Sequence, residues 1–276
     1  IVAITAAMPQ GTGLSSFAKE FPLRFFDVGI AEQHAVAMGA GLAASGMKPV
    51  IAVYSSFLQR AYDQIIHDVC LQRLPLVLAI DRAGLVGKDG ETHQGAYDIA
   101  FLSHIPNITV FSPASQHELK EMLSISLRLG SPAAIRYNRG TLPKDLPGTP
   151  IEYGRWDVIK PIDKITIIAT GRFVERALEL PDVGVINARF IKPIDKDLLS
   201  TLKGQCKVVI VIEDGVIIGG LGSIITQYLS GTGIRVECLG LPDRPIPQGT
   251  VAEQDELCQL SLKCMTLRVI ELLEQI

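Results

Sequence analysis

The sequence predicts an α/β protein of two domains, a doubly wound parallel-sheet domain followed by a smaller α/β domain. From the first residue on, short apolar runs alternate with segments of helical length. The runs are apolar on both faces, which is typical of parallel strands that helices cover on both sides. A segment with three prolines and one glycine in ten residues, TLPKDLPGTP, then interrupts the alternation and indicates a linker between domains.

The first domain, residues 1–140, is predicted to contain six strands and three helices. The strands are IVAIT, FFDV, VIAVY, LVLAI, ITVF and AAIRY, and the helices lie near 31–45, 57–72 and 115–129. The last helix opens with Ser115, which Glu118 follows in a capping-box pattern, and it ends before Pro132.

After the linker, residues 141–152, the second domain is predicted to form a smaller sheet over residues 153–276. Its strands are KITIIAT, VGVINARF, KVVIVIE and IRVECLG, and helices near 221–229 and 253–273 cover it. The segment GGLGS leads into the first of these helices. Either its amides hold an anion at the helix N-terminus, or its glycines let the helix pack closely on the sheet, and the sequence is compatible with both.

Composition excludes several classes of function. A chain of 276 residues with 47% hydrophobic and 20% charged residues can bury two cores and is not disordered. The net charge of −3 argues against a nucleic-acid partner, and no apolar run of membrane-spanning length is free of charges, prolines or several glycines. The five cysteines lack CxxC spacing and a disulfide framework, which fits the cytoplasm, and no spacing of ligand side chains predicts a metal site.

Glu32 is the first candidate for a functional side chain. It follows the predicted strand FFDV and opens the next helix, so it lies at the carboxyl end of a strand, where ligands bind in open α/β sheets. Acidic residues are also favoured in first helical turns by the helix dipole, so position alone does not decide between the two explanations.

Polar and aromatic side chains follow the next two strands at the same edge of the predicted sheet. YSSFLQRAYDQ comes directly after one strand, and DRAGLVGKDGETHQG after the other. Each segment alone is compatible with a solvated loop, but three strand ends that converge on one rim predict a site. The side chains concerned are Tyr54, Phe57, Arg60, Arg82, Asp89 and His93.

Five segments closely resemble the 1-deoxy-D-xylulose-5-phosphate synthases, thiamine-diphosphate enzymes related to transketolase. They are GIAEQHA, YSSFLQRAYDQ, DRAGLVGKDGETHQG, INARFIKP and LPDRPIPQGT, and the resemblance extends over essentially the whole chain. It implies a transketolase-like pyrimidine-binding domain followed by a transketolase C-terminal domain. The family's N-terminal domain holds the diphosphate and magnesium through a Gly-Asp-Gly segment, which this sequence lacks. Because the chain also starts inside a strand-like run at Ile1, we expect part of a longer enzyme, or less readily a split subunit, that is inactive alone.

The resemblance implies the condensation of pyruvate with D-glyceraldehyde 3-phosphate, with loss of carbon dioxide, in the synthesis of isoprenoid precursors, thiamine and pyridoxal. Thiamine diphosphate and Mg²⁺ are the implied cofactors, the metal being bound mainly by the N-terminal domain that this sequence does not contain. That domain, the two substrates and a second copy of the chain in a homodimer are the implied partners, and neither a nucleic acid nor a membrane is expected.

The resemblance also implies roles for individual residues. Glu32 matches the glutamate that hydrogen-bonds the aminopyrimidine ring and favours its imino tautomer, and His93 is the second implied catalytic residue. Ile30 and Phe57 match cofactor contacts, Phe57 being the aromatic that stacks on the pyrimidine. Tyr54, Arg82 and Arg139 match the surroundings of the acceptor's phosphate, whereas Arg60, Asp89 and His93 match polar groups that reach the substrate. Arg139 lies in YNRG, a segment where the family usually has a proline.

Two other functions compete with the synthase. The β subunit of a 2-oxo acid dehydrogenase decarboxylase has the same two domains in one natural chain, and a domain pair can also serve as a binding module without chemistry. THQG and the neighbouring arginines favour the synthase, because a phosphorylated acceptor needs cationic partners and a lipoyl arm does not.

Overall fold

The computed structural model describes residues 1–276, which form two sheets and eleven α-helices. The strands are β1 (Val2–Thr5), β2 (Phe25–Asp27), β3 (Pro49–Tyr54), β4 (Val77–Asp81), β5 (Thr109–Phe111), β6 (Ala133–Arg136), β7 (Asp157–Lys160), β8 (Ile165–Ala169), β9 (Gly184–Asn187), β10 (Phe190–Lys192), β11 (Val208–Val216) and β12 (Arg235–Leu241). The helices are α1 (Ser15–Glu20), α2 (Glu32–Ala44), α3 (Ser55–Leu58), α4 (Tyr62–Gln64), α5 (Asp98–Ser103), α6 (Gln116–Ser126), α7 (Phe173–Leu178), α8 (Lys196–Thr201), α9 (Leu221–Leu229), α10 (Val251–Leu257) and α11 (Leu262–Leu273). No helix combines the length and the apolar character that crossing a bilayer requires.

The predicted fold class is confirmed. The larger sheet has the order β10-β5-β6-β4-β3-β1-β2, and all of its pairings are parallel except that of β10 with β5. The smaller sheet has the order β12-β11-β8-β9-β7 and is parallel except at β7. Helices cover both sheets, so the strand interiors are apolar on both faces, as the sequence predicts.

Two predicted helices are less regular than expected. The segment predicted as one helix near 57–72 passes from α3 through a 3₁₀ turn and α4 into a π-helix, Ile65–Cys70. The wider π turn brings Ile65, Val69 and Cys70 into the core together. The helix predicted near 253–273 is two helices, because Gln259 adopts a left-handed backbone with φ of 61° and Ser261 then caps α11.

The predicted strand VGVINARF is divided between the two sheets. Its first half is β9 in the smaller sheet, whereas Phe190 and the two residues after it form β10 at the edge of the larger sheet. The Phe190 and Phe111 rings are both fully buried, with centroids 4.7 Å apart, so this crossing joins the domains through their cores. One cluster of 41 buried hydrophobic residues accordingly includes side chains from both sheets.

A buried ion network also joins the domains. Arg136, at the end of β6, is 1% exposed and contacts Asp98 through Nε at 3.1 Å and Asp214 of β11 through Nη1 at 2.7 Å. Burial raises the pKa of Asp98 despite this contact. Burial would also raise the pKa of Asp214, but Arg136 and then Arg172 outweigh it and hold that pKa below its usual value. The two carboxylates therefore share one guanidinium across the domain boundary.

Candidate active site

The predicted site residues follow the carboxyl ends of neighbouring strands. Glu32 comes after β2, Tyr54 ends β3, Arg82 comes directly after β4 and Arg139 follows β6. These strands lie within the continuous stretch β6-β4-β3-β1-β2 of the larger sheet, so their ends meet at one edge. This is the edge where open parallel sheets bind ligands.

Glu32 is a buried carboxylate that the protein satisfies only in part. It is the first residue of α2 and is 2% exposed. Its Oε2 lies 3.3 Å from Nη1 of Arg60, whose side chain is half exposed, and no protein group donates a hydrogen bond to Oε1. Ala31 precedes it and cannot cap the helix with its side chain. As the first residue of the helix, Glu32 places its carboxylate at the positive end of the helix dipole. Glu32 therefore keeps an acceptor oxygen for a ligand.

Phe57 lies at the centre of an aromatic cluster beside this carboxylate. Its ring stacks on Tyr54 with centroids 5.7 Å apart, and the His93 ring meets it edge-on at 5.2 Å. The guanidinium carbon of Arg60 lies 5.8 Å from the Phe57 centroid. Arg60 thus contacts both Glu32 and Phe57, and it connects the carboxylate to the aromatic surface.

Two arginines meet on the carboxylate of Asp89. Nη1 of Arg139 lies 2.6 Å from Oδ1 of Asp89, and Nε of Arg82 lies 3.6 Å from Oδ2. The Arg82 guanidinium carbon also lies 3.7 Å from the Tyr54 centroid, within cation–π range. Arg82 has a left-handed backbone with φ of 58°, and its amide donates to Asp81 at 2.6 Å. Asp89 therefore holds the two guanidinium groups side by side, next to the aromatic cluster.

Asp89 and His93 belong to one closed loop. Gly84 and Gly95 exchange two backbone hydrogen bonds of 2.8 Å at its base, and each of the two positions tolerates only glycine without rearrangement. Gly84 has a φ of 77°, and a Cβ added at Gly95 would approach the Arg82 carbonyl to 2.2 Å. Nη1 of Arg139 donates to the Val86 carbonyl at 2.9 Å and forms the ion pair with Oδ1 of Asp89, so the loop and the arginine fix each other.

The structure brings all but one of the predicted site residues into one continuous set of contacts. It runs from Glu32 through Arg60, Phe57, His93 and Tyr54 to Arg82, Asp89 and Arg139. Ile30 is the exception, because it is 78% exposed on the segment before α2 and makes no contact in this set.

Two residues that were not predicted as site residues also contact this region. The side-chain amide of Asn138 donates to the Ala83 carbonyl at 2.9 Å and to Oδ2 of Asp214. Gln254, in the second domain, hydrogen-bonds the backbone of Gly87 in the loop of Asp89. YNRG signalled an unusual residue at Asn138, but no local pattern marks Gln254.

The glycine-rich segment GGLGS serves an internal carboxylate. The amides of Leu221 and Gly222 both donate to Glu213 at 2.8 Å, so they are not available to an external anion. Burial raises the pKa of Glu213 to about 7, against the opposing effect of these two amides. No group of three or more His, Cys, Asp or Glu side chains in the structure lies close enough together to hold a metal ion.

Comparison with protein families gives two matches that together include most of the chain. The family described as "Transketolase, pyrimidine binding domain" matches residues 1–144, and "Transketolase, C-terminal domain" matches residues 154–263. The 1-deoxy-D-xylulose-5-phosphate synthase of Clostridium tetani is 49% identical over 99% of this chain and 46% of its own length. That of Halothermothrix orenii is 46% identical over 100% of this chain and 45% of its own length. The chain thus spans somewhat less than half the length of these curated relatives.

Solved structures agree with these matches. A protein described as "Split gene transketolase, inactive beta4 tetramer" is 30% identical, with a TM-score of 0.88 over 98% of this chain and 91% of that one. The transketolase of Campylobacter jejuni has a TM-score of 0.83 over 98% of this chain and 43% of its own. At 17% identity the second likeness bears on the fold alone.

Proposed function

Because the chain belongs to the transketolase family and is 46–49% identical to 1-deoxy-D-xylulose-5-phosphate synthases, we propose that it supplies two domains of such a synthase. The reaction would join pyruvate to D-glyceraldehyde 3-phosphate with loss of carbon dioxide. The observation that carries this proposal is the continuous set of contacts from Glu32 to the arginine pair. It places a partly satisfied buried carboxylate at one end and two cations at the other.

The residues present fit the pyrimidine part of thiamine diphosphate. Glu32 is 2% exposed and has an oxygen without a protein hydrogen-bond donor, and Phe57 offers an aromatic ring that Arg60 contacts together with Glu32. When bound, this cofactor supplies the carbon nucleophile that adds to the keto group of pyruvate and stabilises the charge left as carbon dioxide departs. The protein's part is to bind and orient it. Ile30, which stands exposed before α2, is proposed as a further cofactor contact.

Glu32 would act on a proton at the aminopyrimidine ring nitrogen. A carboxylate in a dry position shares a proton with that nitrogen more strongly than one in water, because no solvent competes for it. Arg60 contacts the Glu32 carboxylate at 3.3 Å, and its half-exposed side chain would stay within reach of a substrate. His93, edge-on to Phe57, is proposed to exchange protons with the reacting groups.

Arg82 and Arg139 would bind the phosphate of the acceptor. Guanidinium groups match phosphate oxygens in a fork geometry, and Asp89 holds the two forks side by side. This pair favours the synthase over the β subunit of a 2-oxo acid dehydrogenase, whose lipoyl acceptor carries no phosphate. The same intact set of charges argues against a binding module without chemistry.

We further propose that residues outside this sequence hold the diphosphate and its Mg²⁺. The supporting comparison is the split-gene transketolase, of which this chain covers 91% and whose structure is described as an inactive tetramer. The homodimer and the cytoplasmic location implied by the sequence resemblance belong to this proposal as well.

The isolated chain is expected to have no synthase activity and to bind thiamine diphosphate weakly, because the most charged part of the cofactor lacks a partner here. Isothermal titration calorimetry of this chain with cofactor and Mg²⁺ measures this directly. Micromolar binding by the chain alone would contradict the assignment of the diphosphate to residues elsewhere.

Arg82→Ala and Arg139→Ala, each in the complete enzyme, are expected to lower kcat/KM for D-glyceraldehyde 3-phosphate by about 10- to 150-fold. This corresponds to the loss of one charge-assisted contact, roughly 1.5–3 kcal/mol. Unphosphorylated glyceraldehyde should be used almost as before, and Arg128→Ala, which removes an exposed arginine of the same domain, should affect neither acceptor. Equal losses with both acceptors would mean that the arginines are structural.

A further inference from the structure

The second domain holds the turn that carries Asp89. Gln254 of α10 is 2% exposed, its Oε1 accepts from the Gly87 amide at 3.0 Å, and its Nε2 donates to the Gly87 carbonyl at 3.3 Å. The same Nε2 donates to the Pro247 carbonyl at 2.8 Å, which fixes the side chain from its own domain. Gln248 adds a bond from its Nε2 to the Lys88 carbonyl at 2.9 Å.

The turn packs closely against this surface of the second domain. Gly87 has a φ of 69°, and a Cβ added there would lie 3.3 Å from Val251 and 3.4 Å from the Gly249 carbonyl. The turn Gly87–Asp89 is a single 3₁₀ turn, so a displacement of Gly87 carries Asp89 with it. Gly87 is buried, and its amide donates to Gln254, so loss of the Gln254 amide group would leave the Gly87 amide without this acceptor. The Gly87 carbonyl would keep its hydrogen bond from the Gly90 amide at 3.2 Å.

We propose that Gln254 is a positioning residue of the acceptor site. It fixes the Gly87–Asp89 turn, and Asp89 in turn contacts both the Arg82 and the Arg139 guanidinium groups, which would bind the phosphate monoester. This inference rests on the proposed function for the two arginines. It adds that the acceptor site is built by both domains, although every residue proposed to bind the acceptor lies in the first.

The first test measures the turn itself in this chain, without cofactor. Gln254→Leu keeps the side-chain volume and removes the amide, so hydrogen–deuterium exchange at Gly87 and Lys88 should become about tenfold faster through local opening. Gln227→Leu, on the exposed face of α9 in the same domain, is the matched control and should leave this exchange unchanged. Unaltered exchange at Gly87 in Gln254→Leu would overturn the proposal.

The second test uses the complete enzyme. Gln254→Leu should lower kcat/KM for D-glyceraldehyde 3-phosphate by about tenfold and leave cofactor C2 proton exchange unchanged, because Glu32 is not displaced. In an Asp89→Ala background the same substitution should cost little more, since both act through the arginines. A full, additive loss in that background would overturn the proposal.

The two proposals can fail separately. If Arg139→Ala impairs use of the phosphorylated acceptor but Gln254→Leu does not, the positioning role is wrong and the acceptor site stands. If neither arginine substitution discriminates between the two acceptors, the proposed function fails, while the exchange at Gly87 still reports whether Gln254 holds the turn.

Discussion

Glu32→Gln in the complete enzyme is expected to slow proton exchange at C2 of thiamine diphosphate by roughly 10²- to 10⁴-fold, the range typical of a lost acid–base contact. The amide cannot take up a proton, so it cannot share one with the aminopyrimidine ring. Glutamine has the same shape as glutamate, and the only protein partner of the Glu32 side chain is the half-exposed Arg60. Folding should therefore be normal. Quenched-flow exchange followed by NMR measures the rate of proton loss directly.

Glu175→Gln is the matched control for this experiment. Glu175 also lies in the first turn of a helix, α7. It is exposed, and it belongs to the second domain, whereas the candidate site residues belong to the first. If Glu32 only complements its helix dipole, both substitutions should cost roughly 0.3–1 kcal/mol of stability and neither should alter C2 exchange. An unchanged exchange rate in Glu32→Gln would mean that Glu32 only complements the helix dipole and has no catalytic role.

Arg136→Met is expected to destabilise the chain by about 3–5 kcal/mol, because it leaves the Asp98 and Asp214 carboxylates buried beside an uncharged side chain. Since the two carboxylates belong to different domains, the substitution should also weaken the packing of the two domains against each other. Urea unfolding followed by tryptophan fluorescence measures the change, with Trp156 as the single reporter.

Arg155→Met provides the comparison for a half-exposed arginine. Arg155 also contacts two aspartates, Asp195 at 3.2 Å and Asp197 at 2.6 Å, but its side chain is 49% exposed. Its loss should therefore destabilise the chain much less than the loss of Arg136. Equal destabilisation by the two substitutions would mean that burial of the Arg136 network does not set its contribution.

The fold class followed from the sequence because it depends on short-range patterns. Apolar runs, their lengths and the breaks between them are local properties, and helices and parallel strands respond to them directly. The position of the candidate site followed from the sequence for a related reason. Polar segments after β2, β3 and β4 must meet when those strands are neighbours, so the strand ends alone predicted that Glu32, Phe57 and Arg82 would lie at one edge.

The capping pattern at α6 was predicted only in part, because distant residues also bind one of its side chains. Ser115 caps the helix by accepting from the Glu118 amide at 3.1 Å, as predicted. The Glu118 carboxylate does not close the box on the Ser115 amide. Its Oε2 accepts from the Ala114 amide at 2.7 Å, and its Oε1 accepts from Arg189 at 2.6 Å and Asn187 at 2.9 Å in the second domain. Partners 69 and 71 residues away in the sequence therefore share this carboxylate with a local amide.

The tertiary structure decided how the domains meet and thereby how the site is held. The crossing of β10 into the larger sheet, the Asn138–Asp214 contact and the hold of Gln254 on Gly87 join residues 76 to 167 positions apart. No periodicity or capping rule reports such pairs, because they depend on which surfaces become adjacent after both sheets have formed. The sequence by itself therefore determined the two sheets and the edge where the site lies, and domain packing determined the side chains that hold its loops in place.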